Sequence, residues 1–102
     1  MKISFVDEAQ LELLDAISFY EEARPGLGRR FKDELDLRLQ RLRDHPEAHR
    51  VRKGGYRRLN LTVFPYYIPY ILRAETLWVL AVAHSRRKPE YWIERRMRFN
   101  QT

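Results

Sequence analysis

The chain of 102 residues contains no cysteine. A disulfide framework and a thiolate metal centre are therefore both excluded, and a reducing cytoplasm is the compartment that fits. Three histidines occur, His45, His49 and His84, without metal-ligand spacing or a nearby acidic cluster, so no metal site is expected. Glycine is scarce, and Gly26-x-Gly28 and Gly54-Gly55 are isolated turns, not a phosphate-cradling loop. Ser4, Ser18 and Ser85 lack the neighbours that would make any of them a nucleophile. Long apolar runs are missing too. The longest, Leu77 to Ala83, falls far short of the roughly 20 residues a membrane span needs, and Ile3-Ser4-Phe5-Val6 is too short for a signal peptide. The expectation is a soluble cytoplasmic protein with no cofactor, no membrane attachment and no small-molecule substrate.

What is present is a folding core and an uneven charge. The hydrophobic share of 44% with 13% aromatics suits a globule, and the length suits one domain, residues 1–102, built of two layers. Residues 1–48 hold 8 Lys/Arg against 11 Asp/Glu, and residues 49–102 hold 12 against 3. The net charge of +6 thus divides into −3 and +9. The second half is a positive field carried mainly by arginine, suited to a polyanion or an acidic protein partner.

Periodicity orders the elements. Ile3 to Val6 is a short β-prone opening, and Asp7 with Gln10 three residues on has the form of a capping box. Ala9, Leu13, Ala16, Ile17, Tyr20 and Ala23 recur at helical steps until Pro25-Gly26-Leu27-Gly28 stops them. Leu27, Phe31, Leu35, Leu39 and Leu42 make the stripe of a second helix, ended by His45-Pro46, and so short a link predicts an antiparallel hairpin. After a basic, glycine-bearing loop the period becomes two. Leu59, Leu61 and Val63 alternate with Arg58, Asn60 and Thr62, and Tyr66 to Leu72 follows as a second strand. Pro69 cannot donate to a ladder, which predicts an edge segment or a bulge there. Thr76 to Ala83, apolar on both faces, should be the central strand. Trp92, Arg95, Arg96 and Phe99 space as a short C-terminal helix. The predicted class is α+β, in the order β-α-α-β-β-β, with the hairpin on a small, mainly antiparallel four-stranded sheet.

Five local patterns in this order resemble the RelE/ParE superfamily of toxins. They are Ala9, Leu13, Ala16 with Phe19-Tyr20; Pro25-Gly26-Leu27-Gly28 followed by Arg30-Phe31 and Glu34-Leu35; His45-Pro46; Arg58-Leu59 followed by Phe64-Pro65-Tyr66 and Ile68-Pro69-Tyr70; and Val79 to Pro89, a last strand with a basic exit. The resemblance covers almost the whole chain. It implies the toxin half of a type II toxin–antitoxin pair, neutralised by a cognate antitoxin whose segment wraps the sheet and the hairpin. An acidic, partly disordered antitoxin tail would suit this basic chain. The implied target is DNA gyrase, poisoned by binding, or ribosome-bound mRNA, cleaved.

Most of these patterns are packing first: the Ala/Leu/Tyr stripe is core, and Pro25 to Gly28 is turn chemistry. The exit of the last strand differs. His84, Arg86, Arg87, Lys88, Tyr91 and Trp92 gather cations and aromatics where a rigid sheet can present them. Arg can clamp phosphate and aromatics can stack on bases, so His84, Arg86, Arg87 and Lys88, with Arg57 and Arg58, are the candidate target- or nucleic-acid-binding residues. The alternative is a solubilising exit with Trp92 tucked against the sheet. In the mRNA-cleaving members strand-borne cations and a C-terminal Tyr or His do the chemistry, and Tyr91 is the one candidate catalytic residue. Ser85 stands where a cleaving Arg aligns, and Tyr67 where a strand Arg is expected. The set is incomplete, which favours the gyrase-binding branch. The competing class is a stand-alone basic nucleic-acid-binding module without toxicity.

Overall fold

The computed structural model describes residues 1–100. Strand β1 (Lys2–Phe5) leads into helix α1 (Asp7–Ala23), and α2 (Leu27–Asp44) returns antiparallel to it. Strands β2 (Arg57–Asn60), β3 (Tyr66–Arg73), β4 (Thr76–Val79) and β5 (Ala83–His84) follow, then α3 (Ile93–Met97) and a 3-10 turn at Arg98–Asn100. The sheet order is β1-β4-β3-β2, with β5 alongside β3. Among the described residues only β1 and β4 run parallel, Lys2 facing Thr76 and Phe5 facing Val79. The expected four strands are this path, and β5 is a short addition at the end of β4.

Two helix boundaries come from turn chemistry. Gly26 takes a left-handed φ of 89° as the N-cap of α2, a conformation that costs glycine little. Here the Glu21 carboxylate accepts from the Gly26 and Gly28 N–H groups at 2.8 and 3.1 Å, filling orphan donors of the helix start. At Gly28 the helices touch: a Cβ there would sit 2.4 Å from the Ile17 carbonyl oxygen. Gly28→Ala should therefore force the hairpin apart and cost about 1–3 kcal/mol, the usual range for overpacking. Thermal unfolding checks this, since about 1 kcal/mol shifts the midpoint of a domain this size by roughly 4–8 °C. An unmoved midpoint would show that the hairpin yields freely.

The start of α1 differs from the sequence reading. Val6, not Asp7, is the N-cap, and no side chain caps the helix. The Val6 N–H is still tied to the Val79 carbonyl, so the strand runs directly into the helix and Asp7 becomes its first residue. Asp7 and Glu8 then favour the helix by placing negative charge in its first turn.

The sheet is buried on both faces. On one lie the hairpin residues Leu13, Phe31, Leu35, Leu39 and Leu42 against Leu59, Ile68, Tyr70, Leu77 and Val79. On the other, Tyr56, Tyr67, Ile71, Leu80 and Ala81 are covered by Trp92 from the C-terminal segment. Burial of both faces makes β4 central, as its apolar run predicts. Its continuity fails, however. The pairing Tyr70–Val79 becomes Tyr67–Ala83, so three residues, 80–82, oppose two on β3. Pro69 lies opposite this break, and its carbonyl accepts the Leu80 N–H at 2.9 Å. Its missing N–H would point the same way. The bulge predicted at Pro69 is therefore in the facing strand, while β3 itself stays internal. β2 also stops short of Val63, which is 59% exposed, because the chain bends at 62–65 and turns Phe64 into the ring cluster of Tyr20, Phe31 and Tyr66.

Candidate functional site

The basic exit begins where β5 ends. His84 rests edge-on against Tyr66, ring centres 5.0 Å apart, and its Nδ1 accepts the Arg86 N–H at 3.1 Å. The Arg87 N–H donates to the His84 carbonyl, so both bonds fold the chain into a tight turn. That turn lifts Arg86 and Lys88 into solvent, and neither side chain has a partner among the described residues. Arg87 lies with its guanidinium 3.8 Å from the centre of the Tyr91 ring and 3.5 Å from the Glu12 carboxylate, yet stays 55% exposed. Four of the predicted residues, His84, Arg86, Arg87 and Lys88, thus share one turn, with Tyr91 beneath Arg87.

Glu12, on α1, fixes this arrangement and was not singled out in the sequence. Its Oε1 accepts the Val82 N–H at 3.1 Å and Arg95 Nη1 at 2.9 Å. Its Oε2 accepts the Tyr91 hydroxyl at 2.8 Å and Arg95 Nη2 at 3.1 Å. Arg95 also donates to the Leu80 carbonyl at 3.1 Å. One carboxylate thereby satisfies the backbone at the β4–β5 bulge and ties α1 to the C-terminal segment. Burial, and then the bond to Glu12, push the Tyr91 hydroxyl well above the ordinary phenol range. Its proton is committed to Glu12, which makes Tyr91 a strut under Arg87.

The predicted strand arginines are separated. Arg57 turns to the hairpin side and donates to the His49 carbonyl. Arg58 turns to the other face, with its guanidinium 3.8 Å over the Tyr67 ring and its Nε on Asn60 Oδ1 at 2.7 Å. The Tyr67 hydroxyl accepts the indole N–H of Trp92 at 2.9 Å, and the Tyr56 hydroxyl donates to Glu90 at 2.8 Å. The face where a strand arginine was expected is therefore closed by an aromatic cluster. Beside α1, a groove of about 320 Å³ runs from Phe19 and Asp15 past Glu12 to His84 and Arg87. Phe19, Leu11 and Leu14 are exposed along that helix. No helix among the described residues is long and apolar enough to cross a membrane.

A chain of the chromosomal ParDE TA system from P. aeruginosa superposes with a TM-score of 0.71 over 82% of this chain and 95% of that one, at 17% identity, which shows the shared fold. Toxin ParE2 of Mycobacterium tuberculosis, in strains CDC 1551 / Oshkosh and H37Rv, is 30% identical over 79 residues, 76% of this chain and 75% of the relative. The family described as "ParE toxin of type II toxin-antitoxin system, parDE" matches residues 3–89. The chain belongs to this ParE toxin family. It is the toxin of a type II pair, and its protein partner is a cognate antitoxin.

Proposed function

We propose that this toxin acts in the cytoplasm by binding and poisoning DNA gyrase, not by cleaving mRNA, and that the exposed turn of His84, Arg86, Arg87 and Lys88 meets the target. The observation carrying this reading is that both tyrosines at positions the cleaving relatives would use have structural partners. The Tyr67 hydroxyl accepts the Trp92 indole N–H, and the Tyr91 hydroxyl donates its hydrogen bond to Glu12. A general acid works best with a pKa near the operating pH, and the Tyr91 phenol has moved away from it. A binding poison needs instead a rigid, solvent-facing cluster, which Arg86 and Lys88 supply.

Expressed without antitoxin, the protein should arrest growth, and co-expression of the antitoxin should restore it. Purified, it should inhibit supercoiling by gyrase and leave ribosome-bound mRNA intact. Tyr91→Phe separates the mechanisms, because only a hydroxyl is removed. Its toxicity should stay close to that of the parent, whereas a cleaving enzyme would lose about 10²-fold or more in rate. Cleavage of ribosome-bound mRNA by the parent, spared by Tyr91→Phe, would overturn the gyrase reading.

A further inference from the structure

The second concentration of cations lies away from the basic exit. Arg57 pairs with Tyr70 and His84 with Tyr66 across β3. Four residues of strand separate them, about 13 Å at the usual rise. At this end the last turns of α2, the bend at 45–49 and β2 border an open, shallow pocket of about 210 Å³. Arg38, Arg41, His45 and His49 line its wall, and Leu42 and Leu59, both buried, form its floor.

Several features of this pocket go beyond a solvated basic surface. Arg38 is fixed by a bond from its Nη2 to the Asn60 carbonyl at 3.1 Å, and Arg57 is fixed on the His49 carbonyl. Each bond occupies one end of a guanidinium and leaves other N–H donors of the fork uncommitted. Among the described residues, no carboxylate lies within ion-pair distance of Arg38, Arg41, Arg52, Arg57 or either histidine. Burial first, and then the positive charges of Arg38, Arg52 and Arg57, hold the His49 imidazole below the ordinary histidine range. Arg41 and Arg43, in the last turn of α2, already complement its carbonyl end. Arg38 and Arg57 have no part in that compensation, being tied to strand and loop carbonyls. An apolar floor under clustered cations strengthens their field at the pocket mouth.

We propose that this pocket binds a phosphate-class oxyanion, gripped by Arg38 and Arg41 with the His49 imidazole as a third donor. Planar guanidinium forks match phosphate geometry. The anion supplies the negative charge that no described carboxylate places within ion-pair distance of these cations. Free phosphate and a backbone phosphate of nucleic acid share this chemistry. The site stands independently of the choice of gyrase as target, because none of its residues belongs to the basic exit.

The test follows the His49 ring protons by NMR across pH, in chloride and in inorganic phosphate at matched ionic strength. An anion beside the ring favours its charged form. Phosphate should therefore raise the His49 midpoint by about 0.5 pH unit or more, the direction expected for an opposite charge in contact. A short single-stranded DNA oligonucleotide forms the second arm. A shift with both probes assigns the site to nucleic-acid backbone, and a shift with phosphate alone assigns it to the free ion. Arg41→Gln, at an exposed side chain and with an unchanged thermal midpoint as the control for folding, should reduce either shift by at least half. The double variant Arg86→Gln/Lys88→Gln should leave it unchanged. A His49 midpoint equal in chloride, phosphate and oligonucleotide, or a shift insensitive to Arg41→Gln, would overturn the proposal.

Discussion

Replacing Glu12 by alanine should destabilise the antitoxin-free chain by about 3–5 kcal/mol, the range for removing one member of a buried ion pair. The pair is sheltered, with Glu12 14% and Arg95 15% exposed, so solvent screens it weakly. The loss is also wider than one pair. Without the carboxylate, the Tyr91 hydroxyl and the Val82 N–H lose their acceptor, and the Arg95 guanidinium keeps only the Leu80 carbonyl of those described. Each uncompensated donor has its own desolvation cost of about 1–3 kcal/mol unless it reaches water. Chemical denaturation of the free toxin measures the loss, and faster amide exchange at Val82 locates it. The double variant Glu12→Ala/Arg95→Ala should recover part of the loss, because no charge is left stranded. A loss below about 1 kcal/mol would mean that Glu12 contributes no more than an ordinary hydrogen bond. The antitoxin must be absent throughout, since a partner that binds only the folded state raises apparent stability by mass action.

Trp92→Ala should be as damaging from the other face of the sheet. Trp92 is 1% exposed, with its ring centre 4.6 Å from that of Tyr56 in an edge-to-face contact. Truncation removes the largest side chain of the second core, leaves a cavity and strips the Tyr67 hydroxyl of its donor. Substitutions of this kind cost about 3–5 kcal/mol. A domain of this size has only about 5–15 kcal/mol in total, so the midpoint of thermal unfolding should fall by roughly 12 °C or more. Trp92→Phe should recover most of it, keeping a ring but not the indole N–H, whose bond contributes about 1 kcal/mol. If Trp92→Ala melted like the parent, the C-terminal segment would not be part of the core. Growth arrest would follow the fraction folded in both cases, which separates these changes from Arg86 and Lys88 substitutions that spare stability.

Legibility in the sequence followed the distance over which each signal acts. The two helices were readable because their limits are local: Pro25-Gly26 and His45-Pro46 interrupt the chain wherever it goes. The central position of β4 was readable from its apolar run, since a strand covered on both faces has no polar side. The length of β2 was not. Val63 continues the alternation, but where the strand ends is set by Phe64 reaching Tyr20 and Phe31, contacts with another layer. Pro69 announced a defect correctly and said nothing of which strand would carry it. The cations of the exit could be named from their spacing. What holds them could not, because Glu12 stands among ordinary helical acids and its partners lie 70 to 83 residues away. The one hint was global: an acidic first half facing a second half of charge +9.

That separation has a consequence for the order in which the toxin comes into being. Elements near the N-terminus of a growing chain fold first, and contacts between its distant parts must wait for the later part to be made. The hairpin of α1 and α2 can pack early, leaving Glu12 as a hydrated carboxylate with nothing to hold. The cationic turn acquires its support only when Tyr91 and Arg95 have emerged and a loop of about 80 residues has closed, a slow step for any chain. The basic turn therefore gains its support later than the α1–α2 hairpin gains its own packing.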